Sequence, residues 1–263
     1  MEAALVIIRD LTEHVLASEA LREAQAELAH VNRVTTMGQL TASIAHEVKQ
    51  PIGATVTNAQ AALRLLGAEV IDTNELREIL RDIVEDGNRA GEVISRISDL
   101  IKKAPPRRDN LEINGAIGEV IEFTRGATAR NRVSVRTELA ERLPLVRGDR
   151  VELQQMILNL VMNGIEAMQS IEHRPRALVI RSVQDETQQV RVSVTDCGVG
   201  ISAETADRLF DAFFTTKSSG MGMGLSICHS IIEAHGGRLW ATANVPHGAT
   251  FHFTLPVNAD AAL

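Results

Sequence analysis

The stretch SIAHEVKQPIG, residues 43–53, sets His46 beside Glu47, with Gln50 one helical turn on and Pro51 directly after it. At about 100° per residue of helix, His46 lies roughly 200° from Ile44 and Val48, so its imidazole projects from the outer face. A histidine on such a face is usually a solvated surface residue. Here the neighbours argue for more. A mostly neutral imidazole is a nucleophile at ordinary pH, and an adjacent carboxylate either takes its ring proton or fixes the tautomer so that the other nitrogen attacks. Glu47 is the candidate for that task, and Pro51 is expected to disturb the backbone just past the pair.

A second set of groups lies on DRVELQQMILNLVMNGIEAM, residues 149–168. Leu153, Ile157, Leu160, Val161, Gly164 and Met168 make an apolar face, and Glu152, Gln155, Asn159, Asn163 and Glu166 run beside it. Asparagine is unfavourable inside a helix because its side chain competes for backbone groups. Two asparagines four residues apart share one face, so their amide oxygens can approach one hard cation together. The plain alternative is a pair of tolerated surface asparagines.

In VRVSVTDCGVGIS, residues 190–202, Asp196 keeps the parity of Val190, Val192 and Val194, which turns its carboxylate to the buried side. A buried carboxylate needs a donor, and the exocyclic amine of adenine would serve. Gly198 and Gly200 let the backbone turn tightly against a ligand. Further on, Gly220, Gly222 and Gly224 precede a helix and offer bare amides and a helix N-terminus to phosphates, with Lys217 as a point charge. The GK[ST] ending of a P-loop is missing, and so is the preceding strand of a dinucleotide fingerprint. TTKSSGMG reads as a mobile lid whose start is anchored by Phe210, Phe213 and Phe214.

These groups need elements to position them. Of 263 residues, 44% are hydrophobic, 3% are aromatic and none is tyrosine, so the core is built of aliphatic residues and base-stacking surfaces are not expected. A net charge of −7, with no basic run beyond PPRR at 105–108, argues against a nucleic-acid partner. Two cysteines, Cys197 and Cys228, suggest neither a metal cluster nor a disulfide framework and fit a cytoplasmic protein. No apolar run is long enough to cross a bilayer, and the first residues are too short and acidic for a signal peptide, so no membrane contact is expected.

A strand over 5–10 leads into a long helix that runs to Gly38 with a weak heptad register. A stronger stripe of Leu76, Leu80, Ile83, Gly87, Ala90, Ile94, Ile97 and Ile101 wants a helical partner. GAEVIDT, with Thr73 or Asn74 as the following N-cap, is short enough to make the two helices antiparallel neighbours. One hairpin has too little core, so two copies are expected to pair as a homodimer. KKAPPRRDN ends the second helix and marks a domain boundary. Beyond it, helices over 113–130, 149–169 and 225–234 mix with strands over 133–138, 178–183, 190–195, 238–243 and 250–255. The fold class is α+β multidomain: a helical hairpin forming a dimeric four-helix bundle, then an α/β sandwich with helices on one face of a mainly antiparallel sheet.

In this order the pieces resemble the transmitter region of the sensor histidine kinases of two-component systems, over roughly residues 31–257. AHEVKQPI is similar to the family's phosphoacceptor box, QQMILNLVMNGIEAM to its asparagine box, DCGVGI to its first glycine box, FDAFFTTK to its phenylalanine box and GMGMGLSI to its second glycine box. The resemblance implies a protein histidine kinase whose GHKL-type domain binds ATP and Mg²⁺ and phosphorylates His46, with onward transfer to an aspartate on the receiver domain of a response regulator. It implies Glu47 as general base, with Gln50 beside it. It also implies Asn159 and Asn163 at the magnesium and phosphates and Asp196 at the adenine. Around the nucleotide it sets Gly198, Gly200, Phe213, Lys217, Gly220, Gly222, Gly224 and Leu225.

The organisation implied is the end of a PAS-like upstream sensor and a signalling coiled coil over 1–30, a dimerisation and histidine-phosphotransfer domain over 31–104, a linker over 105–109, an ATP-binding domain over 110–257 and a tail over 258–263. Gln50 stands where many relatives have Thr or Asn, a position tied to dephosphorylating the regulator. Gly164 follows Asn163 where Ala is usual, which should weaken the helix slightly. ATPases of the gyrase and mismatch-repair type share the nucleotide fold but carry a glutamate four residues before the magnesium asparagine; Asn159 stands there, so water lacks its base. Serine kinases of the anti-sigma type lack the hairpin.

Overall fold

The computed structural model describes residues 48–67, 72–101, 107–215 and 222–257, together with Glu27, Val31, Gly38 and Ala45. The strand expected over 5–10, the PAS-like segment, His46, Glu47, Lys217, Gly220 and the tail lie outside the described residues.

Helix α1 covers 48–66 and α2 covers Thr73–Ile101. Pro51 is helical and buried, and α1 runs on through Gly53, so the disturbance expected there is not a break. A proline removes its own N–H and crowds the preceding turn, while the residues after it stay free to continue the helix. Thr55 and Thr57 donate their hydroxyls back to the Pro51 and Gly53 carbonyls, each at 2.9 Å. The N-cap of α2 is Asp72 rather than Thr73 or Asn74. Its carboxylate accepts from the N–H groups of Asn74 (2.9 Å) and Glu75 (3.1 Å), the two donors a residue one position earlier can reach. Val56, Leu63, Leu66, Leu80, Val84 and Ile94 remain exposed along this hairpin.

The second domain runs β1 (Asp109–Leu111), α3 (Ile113–Arg130), β2 (Val133–Leu139), β3 (Val146–Gly148), α4 (Arg150–Ala167), β4 (Arg176–Gln184) and β5 (Gln189–Asp196). It continues with α5 (Ala203–Ala206), α6 (Gly224–Ala234), β6 (Arg238–Ala243) and β7 (Ala249–Pro256). Strands β1 and β3 form a small antiparallel ladder, and the main sheet has the order β2-β4-β5-β7-β6. Its β2–β4 pair is parallel, because α4 carries the chain across between them, and the other three pairs are antiparallel. Along β5 the burial alternates without a slip, with Val190, Val192, Val194 and Asp196 inward. The helices α3 and α6 flank α4, and α4 packs on the sheet. The short β1, β3 and α5 have no counterpart in the sequence pattern, since three or four residues carry too little periodicity to be seen.

Asp149 joins this domain to the chain that precedes it. Its Oδ1 accepts the Glu152 N–H (3.0 Å) and caps α4, its Oδ2 accepts the Arg107 N–H (2.6 Å), and its own N–H donates to His235 Nε2 (3.0 Å). Because Nε2 accepts, the buried His235 carries its proton on Nδ1 and donates it to the Ile231 carbonyl at 2.7 Å. Arg108 donates to the Ala234 carbonyl at 2.5 Å. Residues 107–109, expected within a linker, are therefore bound to the second domain, and Asp109 opens a strand.

Candidate functional site

Helix α4 is buried around most of its circumference, and part of the stripe beside its apolar face is buried with it. Gln155 is 2% exposed and Asn159 5%, while Asn163 is half-buried. Surface tolerance does not account for amides at these positions, because burying them costs free energy unless bonds or a ligand compensate. At Gly164 the helix reaches the sheet: a Cβ there would meet Leu178 Cδ1 at 2.6 Å.

Asp196 ends β5 with its side chain inward and 5% of the residue exposed. Its Oδ1 accepts from the N–H groups of Gly198 (2.8 Å) and Ala249 (3.3 Å). Burial raises its pKa above the ordinary value; the two N–H groups and Arg174 pull the other way without cancelling the rise. Arg174 also donates to the Gly198 carbonyl at 2.8 Å. A Cβ on Gly198 would lie 2.5 Å from the Ala167 carbonyl oxygen, so only glycine lets this turn close on the end of α4. Gly248 has φ +100°, and a Cβ there would lie 2.0 Å from the Asp196 carbonyl oxygen. Gly248, Ala249 and Asn244, which donates to the same carbonyl at 3.3 Å, are site residues that sequence reasoning misses. Their only local signal is a glycine just before the last strand.

Gly222 (φ +69°) and Phe213 (φ 67°) meet on either side of the segment expected to form a lid: a Cβ on Gly222 would lie 2.5 Å from the Phe213 carbonyl carbon. Phe213, expected to anchor the lid, has its side chain on the surface instead, the residue being 71% exposed. Anchoring falls to Phe210, packed against the core beside the His229 ring, and to Phe214 beneath the Arg208 guanidinium at 4.5 Å. Gly224 opens α6, whose N-cap Met223 makes no side-chain cap bond, and a Cβ on Gly224 would meet nothing within 4 Å. Open space beside a helix N-terminus suits an anion. Leu225 packs on the core, and one turn later the buried Cys228 thiol donates to the Met156 carbonyl of α4 at 3.8 Å. Burial pushes that thiol up to about 12, against a smaller pull from the Asn159 side chain.

A buried acceptor, a line of amides, glycine turns and an open helix N-terminus are the parts needed to hold a purine, a cation and phosphates. Among the described residues no three His, Cys, Asp or Glu side chains cluster as metal ligands; amide oxygens such as those of the α4 stripe are hard donors of the kind Mg²⁺ takes. Residues 36–105 match the His Kinase A (phospho-acceptor) domain, and residues 148–259 match the histidine kinase-, DNA gyrase B- and HSP90-like ATPase. A solved catalytic domain of the histidine kinase ThkA is 33% identical with a TM-score of 0.51, over 57% of this chain and 98% of that one. The chain belongs to the histidine kinase family.

Two curated relatives of this histidine kinase are the sensor protein FixL of Bradyrhizobium diazoefficiens, 38% identical over 95% of this chain and 49% of its own length, and the sensor histidine kinase TmoS of Ectopseudomonas mendocina, 36% identical over 97% and 26%. The chain thus spans about half of the first and a quarter of the second. ThkA has also been solved in complex with the response regulator protein TrrA; that structure is 28% identical with a TM-score of 0.50, over 88% of this chain and 65% of that one.

The ATPase match in this kinase begins at Gly148, beside the Asp149 cap, and takes in α4, the Asp196 turn and α6. Among those segments Gly164, next to Asn163, lies against Asp196, Gly198 closes on Ala167, and α6, which opens with Gly224 and Leu225, packs on α4. Gln50 is exposed on α1, within the phospho-acceptor match.

Proposed function

We propose that this histidine kinase phosphorylates its own His46 from Mg-ATP and passes the phosphoryl group to an aspartate in the receiver domain of a response regulator. The observation that carries this reading is the buried Asp196 beside the amide stripe of α4. Its Oδ1 already takes two backbone donors, and an adenine amine donating to Oδ2 would offset the cost of burying the charge. Asn159 and Asn163 would hold Mg²⁺ through their amide oxygens. Lys217, Gly220, Gly222 and the N-terminus of α6 at Gly224 would receive the phosphates, with Phe213 and Leu225 at the lid side and Gly198 and Gly200 shaping the adenine end.

ATP supplies the γ-phosphoryl group, and Mg²⁺ offsets the charge on its oxygens. His46 supplies the attacking ring nitrogen: an N–P bond forms as the bond from the γ-phosphorus to the ADP oxygen breaks, and Glu47 takes the ring proton. Gln50, one turn on, would face the same group. Exposed Leu63, Leu80 and Val84 support pairing of two hairpins into a four-helix bundle, hence a homodimer. An upstream sensor and a cytoplasmic site of action belong to the same reading; no described helix is long and apolar enough to cross a membrane.

Incubation with γ-labelled ATP and Mg²⁺ should leave acid-labile, alkali-stable label on the chain, absent from His46→Ala although that variant still binds ATP. Acid-stable label, or label surviving in His46→Ala, would overturn the proposal.

A further inference from the structure

We propose that Arg174, which lies outside every sequence box, is a positioning residue for adenine recognition: it holds the turn after β5 so that the Gly198 N–H stays on Oδ1 of Asp196 and Oδ2 is left for the base. The role rests on Asp196 reading adenine as proposed above. The Gly198–Val199 peptide is gripped at both ends. Its carbonyl accepts from Arg174 Nη2 at 2.8 Å, and its N–H donates to the Ala167 carbonyl at the end of α4 at 3.1 Å. One residue earlier, the Cys197 thiol donates to the Pro175 carbonyl at 3.2 Å, and its sulfur accepts the Ala177 N–H, also at 3.2 Å. The short segment 174–177 that leads into β4 is thus fastened to residues 197 and 198, directly beside the carboxylate.

Of these contacts only the one from Arg174 has a charged donor, and a charge-assisted hydrogen bond is about twice as strong as a neutral one. The Gly198 N–H reaches Asp196 Oδ1 at 2.8 Å, closer than the Ala249 N–H at 3.3 Å, so the turn supplies the shorter of the two bonds that orient the carboxylate. Without Arg174 the Gly198 carbonyl loses its partner and the turn its outer restraint. The ligand would then have to orient the carboxylate itself, which takes up part of its binding energy. The guanidinium charge acts in the same sense, favouring the ionised Asp196 that burial disfavours. A residue that only shored up the fold would affect every nucleotide alike. One that acts through Asp196 affects only a base carrying the exocyclic amine that the carboxylate accepts.

The test is calorimetric binding of ADP and of inosine diphosphate, which has a carbonyl in place of the amine, to the full chain as the parent protein, Arg174→Ala, Arg174→Lys and Asp196→Asn. The parent should prefer ADP. Arg174→Ala should lose about tenfold in ADP affinity, the scale of one hydrogen bond to a charged group, while inosine diphosphate binds as it does to the parent. Arg174→Lys, which keeps a cationic donor on a long stem, should recover the preference. Equal losses for the two nucleotides in Arg174→Ala, an undiminished preference for ADP, or no recovery in Arg174→Lys would overturn the positioning role. If Asp196→Asn also keeps the parent's preference, the adenine assignment itself fails; if Asp196→Asn loses it and Arg174→Ala does not, only the role of Arg174 falls.

Discussion

Gly164 of α4 and Asp196 of β5 face each other so closely that a Cβ on the glycine would lie 3.5 Å from the Asp196 Cβ. A bare backbone at this point lets the helix that carries Asn159 and Asn163 settle against the strand that ends in the buried carboxylate. Gly164→Ala gains about 1 kcal/mol of helix propensity but meets Leu178 in a closed core, where overpacking costs about 1 to 3 kcal/mol. Denaturant titration should show a net loss of about 1 kcal/mol, largely recovered when Leu178→Val removes the methyl in the way. A stability gain in the single variant would mean that Leu178 swings aside freely.

Asp196→Asn should act on binding and on stability in opposite directions. The asparagine carbonyl can still accept from Gly198 and Ala249, but it has lost the second acceptor, so nucleotide affinity should fall by about 1 to 3 kcal/mol. The free protein should melt higher. Burial raises the Asp196 pKa above 3.8, so the folded state binds this proton more tightly than the unfolded chain. That contribution to stability is present at low pH and is lost as pH rises from 3.8 through the raised value. The asparagine variant should lack that decline, which melting curves across acid to neutral pH would read directly. A lower neutral-pH midpoint would contradict the assignment.

The phenylalanines of the lid base should separate by burial. Phe210→Ala removes a ring packed on the core and should cost about 1 to 3 kcal/mol, whereas Phe213→Ala removes an exposed one and should leave the melting temperature unchanged. Gly222→Ala, by contrast, forces a side chain into the Phe213 backbone at a positive φ. It should weaken nucleotide binding, read by calorimetry with an ATP analogue, without unfolding the domain.

His235→Phe puts a somewhat larger ring with no nitrogen in its place, stranding the buried Asp149 N–H, while the Ile231 carbonyl keeps the backbone N–H of residue 235. A loss of about 1 to 3 kcal/mol is expected in denaturant titration, the cost of an unsatisfied buried group. Amide exchange at Arg107 should quicken with it, since that N–H depends on the Asp149 carboxylate. Unchanged exchange would separate His235 from the joint between the domains.

Much of this protein is written in short-range pattern. The parity of Val190, Val192, Val194 and Asp196 is enough to point the carboxylate inward, because side chains on a strand alternate whatever the strand packs against. The spacing of Asn159 and Asn163 puts both on one side of a helix for the same kind of reason. What those patterns leave open is how nearly α4 is surrounded, which turns Gln155 and Asn159 from surface residues into buried ones. They are equally silent on Gly248 and Ala249, some fifty residues beyond Asp196, and on which phenylalanine holds the lid base. The longer secondary-structure elements, the order of the boxes and the chemical groups at the site follow from the linear order of residues, since each depends on neighbours along the chain. Which amide is buried, which glycine is indispensable and which carboxylate oxygen is already occupied are settled by packing alone, because they depend on how closely segments distant in sequence approach in the folded domain.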